Sequence, residues 1–148
     1  DRPAARRRFE HELAAGLYAT AALETQLDLL YAWAQHELRH RQPGARHLRL
    51  YRGCSGGAEC TPLQRLDDGR VLVALNNLSS FSTSPERADE FGDTVLCCDV
   101  PLPKIAAFSG LLPDLLQGED ECLVIGGVVA VRYLGGHSPD TTSNATPR

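Results

Sequence analysis

The stretch Glu121-Cys122-Leu123-Val124-Ile125-Gly126-Gly127-Val128-Val129-Ala130-Val131-Arg132-Tyr133-Leu134 leaves a chain few ways to fold. Branched and apolar side chains fill it, a glycine pair interrupts it, and each half has the length of a buried strand rather than a helix. It reads as two strands, residues 121–126 and 128–134, arranged around Gly126-Gly127. Strands of this kind need partners and a covered face, so the rest of the chain has to supply a sheet. Directly upstream lies Gln117-Gly118-Glu119-Asp120-Glu121, where three carboxylates crowd a short turn at the strand's mouth. Like charges so close repel, which costs stability unless a cation, a donor or a ligand compensates. An acidic turn capping a strand would look the same, so the cluster decides nothing alone.

The other elements fall around it. Residues 3 to 13 have helical composition, with an interruption expected at Gly16. A stronger helix runs from Thr20 to Leu38, with Leu23, Leu27, Leu30, Tyr31, Ala34 and Leu38 gathered on one face and Pro43-Gly44 as the stop. His47 to Gly53 alternates like a strand, so Arg52 shares a face with Leu48 and Leu50 and needs an anionic partner there. That partner is either a carboxylate of the protein or a bound phosphate. Residues 54–70 read as loop, Val71–Leu75 as a strand, and residues 76–84 as a hydroxyl-rich extended segment. Ser84-Pro85-Glu86-Arg87 carries a capping hydroxyl, a proline at the first helical position and an acid in the first turn, which predicts a short helix ending at Gly92. Thr94–Val100 is the next strand, and Leu111–Leu116 reads as a short apolar helix before the acidic turn. From Gly135 to Arg148 nothing can be buried, and a disordered tail is expected. Helices first and at least five strands after make an α+β chain rather than alternating βα units, in one domain spanning 1–134.

Several function classes drop out. At 148 residues and 43% hydrophobic content the chain builds a core without disulfides or metal. No apolar run reaches the roughly 18 residues of a membrane span. The N-terminal arginines lack an aromatic platform and fall at helical spacing, which favours a solvated helix face over nucleic-acid binding. Cys54, Cys60, Cys97, Cys98 and Cys122 show no metal spacing; Cys97, Cys98 and Cys122 read as small core or sheet residues of a reducing, cytoplasmic compartment, and a Cys54–Cys60 bridge is the lesser alternative to free thiols there. His36 and His47 have no nucleophile at a recognisable spacing. Gly53-Cys54-Ser55-Gly56-Gly57 lacks the Lys-Ser/Thr ending of a phosphate-binding loop. With no methionine anywhere, the chain reads as a piece of a longer protein.

Three signals remain, in order along the chain: Tyr51-Arg52-Gly53 closing one strand, Ser82-Thr83-Ser84 on a later one, and Glu119-Asp120-Glu121 opening another. This order resembles the Arg–Ser–Glu class of mono-ADP-ribosyltransferases, whose Glu-x-Glu members modify arginine. The wider set Leu50–Gly53, Leu75–Ser82, Phe91–Thr94, Val100–Lys104 and Leu116–Gly127 resembles the dinitrogenase reductase ADP-ribosyltransferase family over residues 25–134. Relative to that family the chain is shorter at its N-terminus.

The resemblance implies an ADP-ribosyltransferase-like fold, with N-terminal helices packed on a core of two small, mostly antiparallel sheets, and transfer of ADP-ribose from NAD, as substrate, to an arginine of dinitrogenase reductase, which inactivates it. It also implies a PII-type nitrogen regulator as a partner. Glu121 would face the ribose, where positive charge develops as nicotinamide leaves. Glu119 would take the acceptor guanidinium and help remove its proton. Arg52 would hold the NAD phosphates, Ser82 would orient Glu121, and Phe91 would pack on nicotinamide or fill the core. Gly53 would let the nicotinamide amide approach. Tyr51 and Thr83 complete the expected NAD-binding set, and no metal is called for. Two alternatives stand beside this: an effector or toxin acting on another protein's arginine, and a non-catalytic NAD-binding module.

Overall fold

Forty residues, Arg2–Arg41, form one helix, α1. In this computed structural model residues 2–57, 60–112, 116 and 120–134 are described, with side chains before Ala21 described only at Arg7 and His11. The tail expected after Leu134 lies outside the described residues, as does most of the short helix expected at Leu111–Leu116. The interruption expected at Gly16 does not occur. A glycine costs about 1 kcal/mol in a helix interior, too little to break a segment whose flanks are rich in alanine and leucine. The stop falls as expected, after Arg41, where Gly44 takes the left-handed conformation (φ +80°).

The leucine stripe of α1 meets the sheet only toward its C-terminal end. Ala34 and Leu38 are buried and Leu30 is half-buried, whereas Leu23 and Leu27 remain more than half exposed (56% and 55%). Polar side chains fix the docked part. Tyr31 Oη donates to Pro103 O (2.7 Å), and Gln35 Nε2 donates to Leu102 O and Ile105 O (2.8 and 2.9 Å). These bonds satisfy carbonyls left over by a tight turn, Leu102–Lys104, as well as the strand it opens.

The strands are β1 (His47–Cys54), β2 (Gln64–Arg65), β3 (Val71–Ser82), β4 (Thr94–Pro101), β5 (Ile105–Phe108) and β6 (Glu121–Leu134); α2 (Pro85–Asp89) joins β3 to β4. They form one six-stranded sheet, ordered β2-β3-β1-β4-β6-β5, with a further β3–β6 pairing and only antiparallel neighbours among the described residues. Two separate sheets were expected. The difference lies in β3 and β6, each of which continues through a bend where the sequence suggested an end. Residues 71–75 and 78–82 of β3 pair with the two halves of β6, and the register shifts between Leu75 and Leu78. Opposite that shift a Cβ on Gly126 would overlap the Asn76 carbonyl, and Gly127 has φ +119°. The glycine pair therefore makes a bulge in a long strand, not a break between two.

Because β6 also pairs with β4, and β1 touches β3 at Tyr51↔Ser82, strands β3, β1, β4 and β6 close on themselves. Leu50, Val73, Leu96, Val100, Ile105, Val124 and Val131 fill the interior. β5 and the two-residue β2 had no counterpart in the sequence reading. Cys54 and Cys60 also depart from it: they form a disulfide, because the loop after β1 returns to place their Cα atoms 6.3 Å apart. No helix among the described residues is long and apolar enough to cross a membrane.

Candidate active site

β1 and β3 meet at a single residue pair, Tyr51↔Ser82, and a cleft of about 610 Å³ opens at this seam. Its lining comes from three regions far apart in the chain: Tyr51, Arg52 and Gly53 of β1; Ser80, Phe81 and Ser82 of β3; and Glu121 at the start of β6. Arg87, Ala88, Glu90 and Phe91, in and just after α2, form the remaining wall.

Local chemistry explains how α2 comes to stand there. The Ser84 hydroxyl accepts from the Arg87 N–H (3.3 Å), Pro85 occupies the first turn, and Glu86 lies at the positive end of the helix. Glu86 is held below the usual carboxylate range, first by its own backbone N–H and then by the Ser84 hydroxyl at 2.8 Å. The helix then lies directly on β1, because a Cβ on Gly53 would overlap the Ala88 carbonyl. Gly53 is thus required by this helix–strand approach, a reason independent of any ligand.

Glu121 is held from two sides. Its N–H donates to Ser109 Oγ (2.9 Å), while the Ser109 N–H and hydroxyl both donate to its carbonyl (2.8 and 3.2 Å). Upstream, Asp120 turns the chain with φ +65°, and its carbonyl accepts from the Thr83 N–H (2.9 Å). Aspartate tolerates this conformation better than most residues, which fits an acidic residue at that point of the turn. The Glu121 carboxylate, half-buried, accepts a hydrogen bond from Ser80 Oγ at 2.5 Å. The same Ser80 offers its carbonyl to Arg52 Nη1 at 2.7 Å. One residue thereby ties the cleft's cation to its carboxylate, and the Arg52 guanidinium also lies 5.9 Å from the Phe81 ring centre.

Of the residues singled out from the sequence, Tyr51, Arg52, Gly53, Ser82, Phe91 and Glu121 all line this cleft. Thr83 is exposed and lies outside its lining. Glu119 lies outside the described residues. Ser82 was expected to orient Glu121, but its hydroxyl accepts from the Ser84 N–H (3.0 Å) and the contact to Glu121 belongs to Ser80. Both serines point to the same face of β3, so sequence spacing could not choose between them. Phe91 is 74% exposed, which rules out the core role and leaves its ring open to the cleft.

Three residues were missed. Ser80 lies within the hydroxyl-rich run of residues 76–84 and Arg87 within the helix cap, while Ser109 follows β5, a strand too short to show a period. Behind Glu121, Cys122 is buried and its thiol is pushed up to about 11, by burial first and then by Glu121 and Asp120, so it is no nucleophile at neutral pH. Among the described residues no group of three or more His, Cys, Asp or Glu is placed to hold a metal ion. The arrangement therefore offers two guanidinium groups, a positioned carboxylate and an exposed ring in one cleft.

Comparison with known proteins bears on what such a cleft does. Residues 2–133 match the family model described as dinitrogenase reductase ADP-ribosyltransferase. The chain is also 44% identical, over 117 residues, to the NAD(+)--dinitrogen-reductase ADP-D-ribosyltransferase of Rhodospirillum rubrum. That match takes in 76% of this chain but 42% of the relative, so the chain spans about two-fifths of the relative's length. No solved structure matches the chain.

Proposed function

Since the chain belongs to the dinitrogenase reductase ADP-ribosyltransferase family, we propose that its cleft binds NAD as substrate and transfers ADP-ribose to an arginine of dinitrogenase reductase. The observation that carries this reading is the Arg52–Ser80–Glu121 linkage within one cleft. NAD combines an anionic pyrophosphate with a ribose that becomes positive as its bond to nicotinamide breaks. A site for this reaction needs a cation and a carboxylate at a fixed separation.

Arg52 holds the pyrophosphate through its planar fork of donors, and Arg87 on the facing wall adds a second positive charge. Phe91, exposed on the rim, supplies a surface on which the nicotinamide ring stacks. Glu121, oriented by Ser80, stands against the ribose. As the glycosidic bond breaks, nicotinamide leaves as a neutral molecule with the bonding electron pair, and the carboxylate stabilises the charge left on the sugar. An arginine nitrogen of the acceptor then forms the new bond to that carbon and releases a proton, for which Glu119 is the proposed acceptor. A half-buried carboxylate already hydrogen-bonded before substrate arrives needs little reorganisation in the transition state. Such preorganised charge is usually the largest single contribution to catalysis.

A cytoplasmic site of action and a PII-type regulator belong to the same proposal, on the resemblance alone. Its test is mass spectrometry of purified dinitrogenase reductase after incubation with this chain and NAD. One ADP-ribose on a single arginine is expected. An unmodified acceptor, alongside NAD turnover by the same preparation, would remove the acceptor assignment while leaving the NAD chemistry.

A further inference from the structure

We propose that a second, basic depression beside the cleft docks a carboxylate-bearing surface of the protein acceptor, an inference that rests on the activity proposed above. The depression measures about 450 Å³ and lies on the outer face of β1, β4 and β6. Arg49, Arg70, Lys104 and Arg132 line it against one carboxylate, Asp99. The chain as a whole carries a net charge of −4, so this is a local reversal of sign. A positive patch on a negative molecule steers a partner of the opposite charge and fixes its orientation.

The chemistry favours a protein surface over a small free anion. A tight anion site needs donors converging on one point, and these are directed elsewhere. Arg49 makes two hydrogen bonds to Asp99 (2.9 and 3.2 Å), Arg70 contacts Asp68 (2.6 Å), and Lys104 donates to Gly126 O (3.0 Å). Val128 and Leu134, which line the same depression, are exposed at 58% and 40%. Exposed apolar side chains interleaved with guanidinium groups suit a protein–protein contact, in which arginine is enriched.

Register places the depression next to the active site. Arg49 and Tyr51 lie two residues apart on one face of β1, about 7 Å along a strand. Cys97, which lines the depression, is paired directly with Tyr51, which lines the cleft. A protein presenting an arginine to the cleft therefore lies across the depression as well, and carboxylates flanking that arginine meet the cations. A small guanidine such as agmatine enters the cleft alone.

The test is a comparison of two acceptors, dinitrogenase reductase and agmatine, with the wild-type chain and the variants Arg132→Glu and Arg70→Glu. Each reversal should lower kcat/KM for the protein about tenfold at low salt, through KM, and leave agmatine transfer within about twofold of wild type. Added salt should shrink the gap between wild type and variants. Unchanged kinetics with both acceptors would overturn the proposal, as would equal losses with both in variants that melt at the wild-type temperature. Binding of inorganic pyrophosphate that Arg132→Glu abolishes, with KM for the protein unaltered, would make this a small-anion site instead. A wild-type chain that modifies neither acceptor would remove the activity itself, a separate failure.

Discussion

The exchange of roles between Ser80 and Ser82 gives a sharp prediction. Ser80→Ala removes the donor that fixes the Glu121 carboxylate at 2.5 Å while leaving the backbone carbonyl that Arg52 uses. A hydrogen bond to a charged group contributes about 1.5–3 kcal/mol. Ser80 is exposed, so the lower end applies, and about 1.4 kcal/mol in the transition state is about a tenfold fall in kcat. KM for NAD should change less than about twofold, because the pyrophosphate contacts persist. Ser82→Ala should behave in the opposite way. Its hydroxyl is buried and accepts from the Ser84 N–H that opens α2, so the loss leaves that donor unsatisfied at about 1–3 kcal/mol. A drop of about 5 °C in melting temperature is expected with a smaller effect on rate. Nicotinamide release and thermal melting, measured on the same two variants, decide the matter. A slow Ser82→Ala enzyme of unchanged stability beside a silent Ser80→Ala would refute the reasoning and return Glu121 to Ser82.

Other expectations are independent of that pair. Glu119→Gln should lose transfer to agmatine but retain NAD hydrolysis, whereas Glu121→Gln should lose both; equal losses would contradict the division of labour. Gly53→Ala drives a methyl into the Ala88 carbonyl and should destabilise the fold by about 1–3 kcal/mol, read by urea denaturation, while an undiminished midpoint would disprove that contact. Asp99 is held below its usual range by Arg49. Its small contribution is therefore present above about pH 4 and fades as pH falls through the folded value, a slope that Asp99→Asn should flatten in acid titrations of stability. Cys98 and Cys122, both pushed up to about 11 chiefly by burial, should resist iodoacetamide at pH 8 in the native chain and react once it is unfolded in urea.

What could be read from the sequence followed local physics. The Ser84-Pro85 cap, the alternation of β1 and the stop after α1 each depend on neighbours a few residues away, and each appears where the residues place it. Features that depend on distant partners were not legible. A bulge at Gly126-Gly127 and a break there look alike until Asn76 is seen to lie against it. The four residues of β5 are too few to show a period, and the two of β2 carry no signal at all. The site divides along the same line. Arg52 betrayed itself by sharing a face with core leucines, and Glu121 by crowding at a strand's mouth. Even register across β3 and β6 does not say which hydroxyl meets Glu121: Ser82 is its partner in the ladder, yet Ser80, two residues along, makes the bond.

The most direct test of the central claim measures NAD affinity and nicotinamide release together on Arg52→Lys and Glu121→Gln. If one cleft grips the pyrophosphate through Arg52 and stabilises the breaking bond through Glu121, the first variant should bind NAD about tenfold more weakly. The second should bind it nearly as wild type does while releasing nicotinamide about a hundredfold more slowly or worse. Wild-type release by Glu121→Gln, or undiminished NAD binding by Arg52→Lys, would contradict the account.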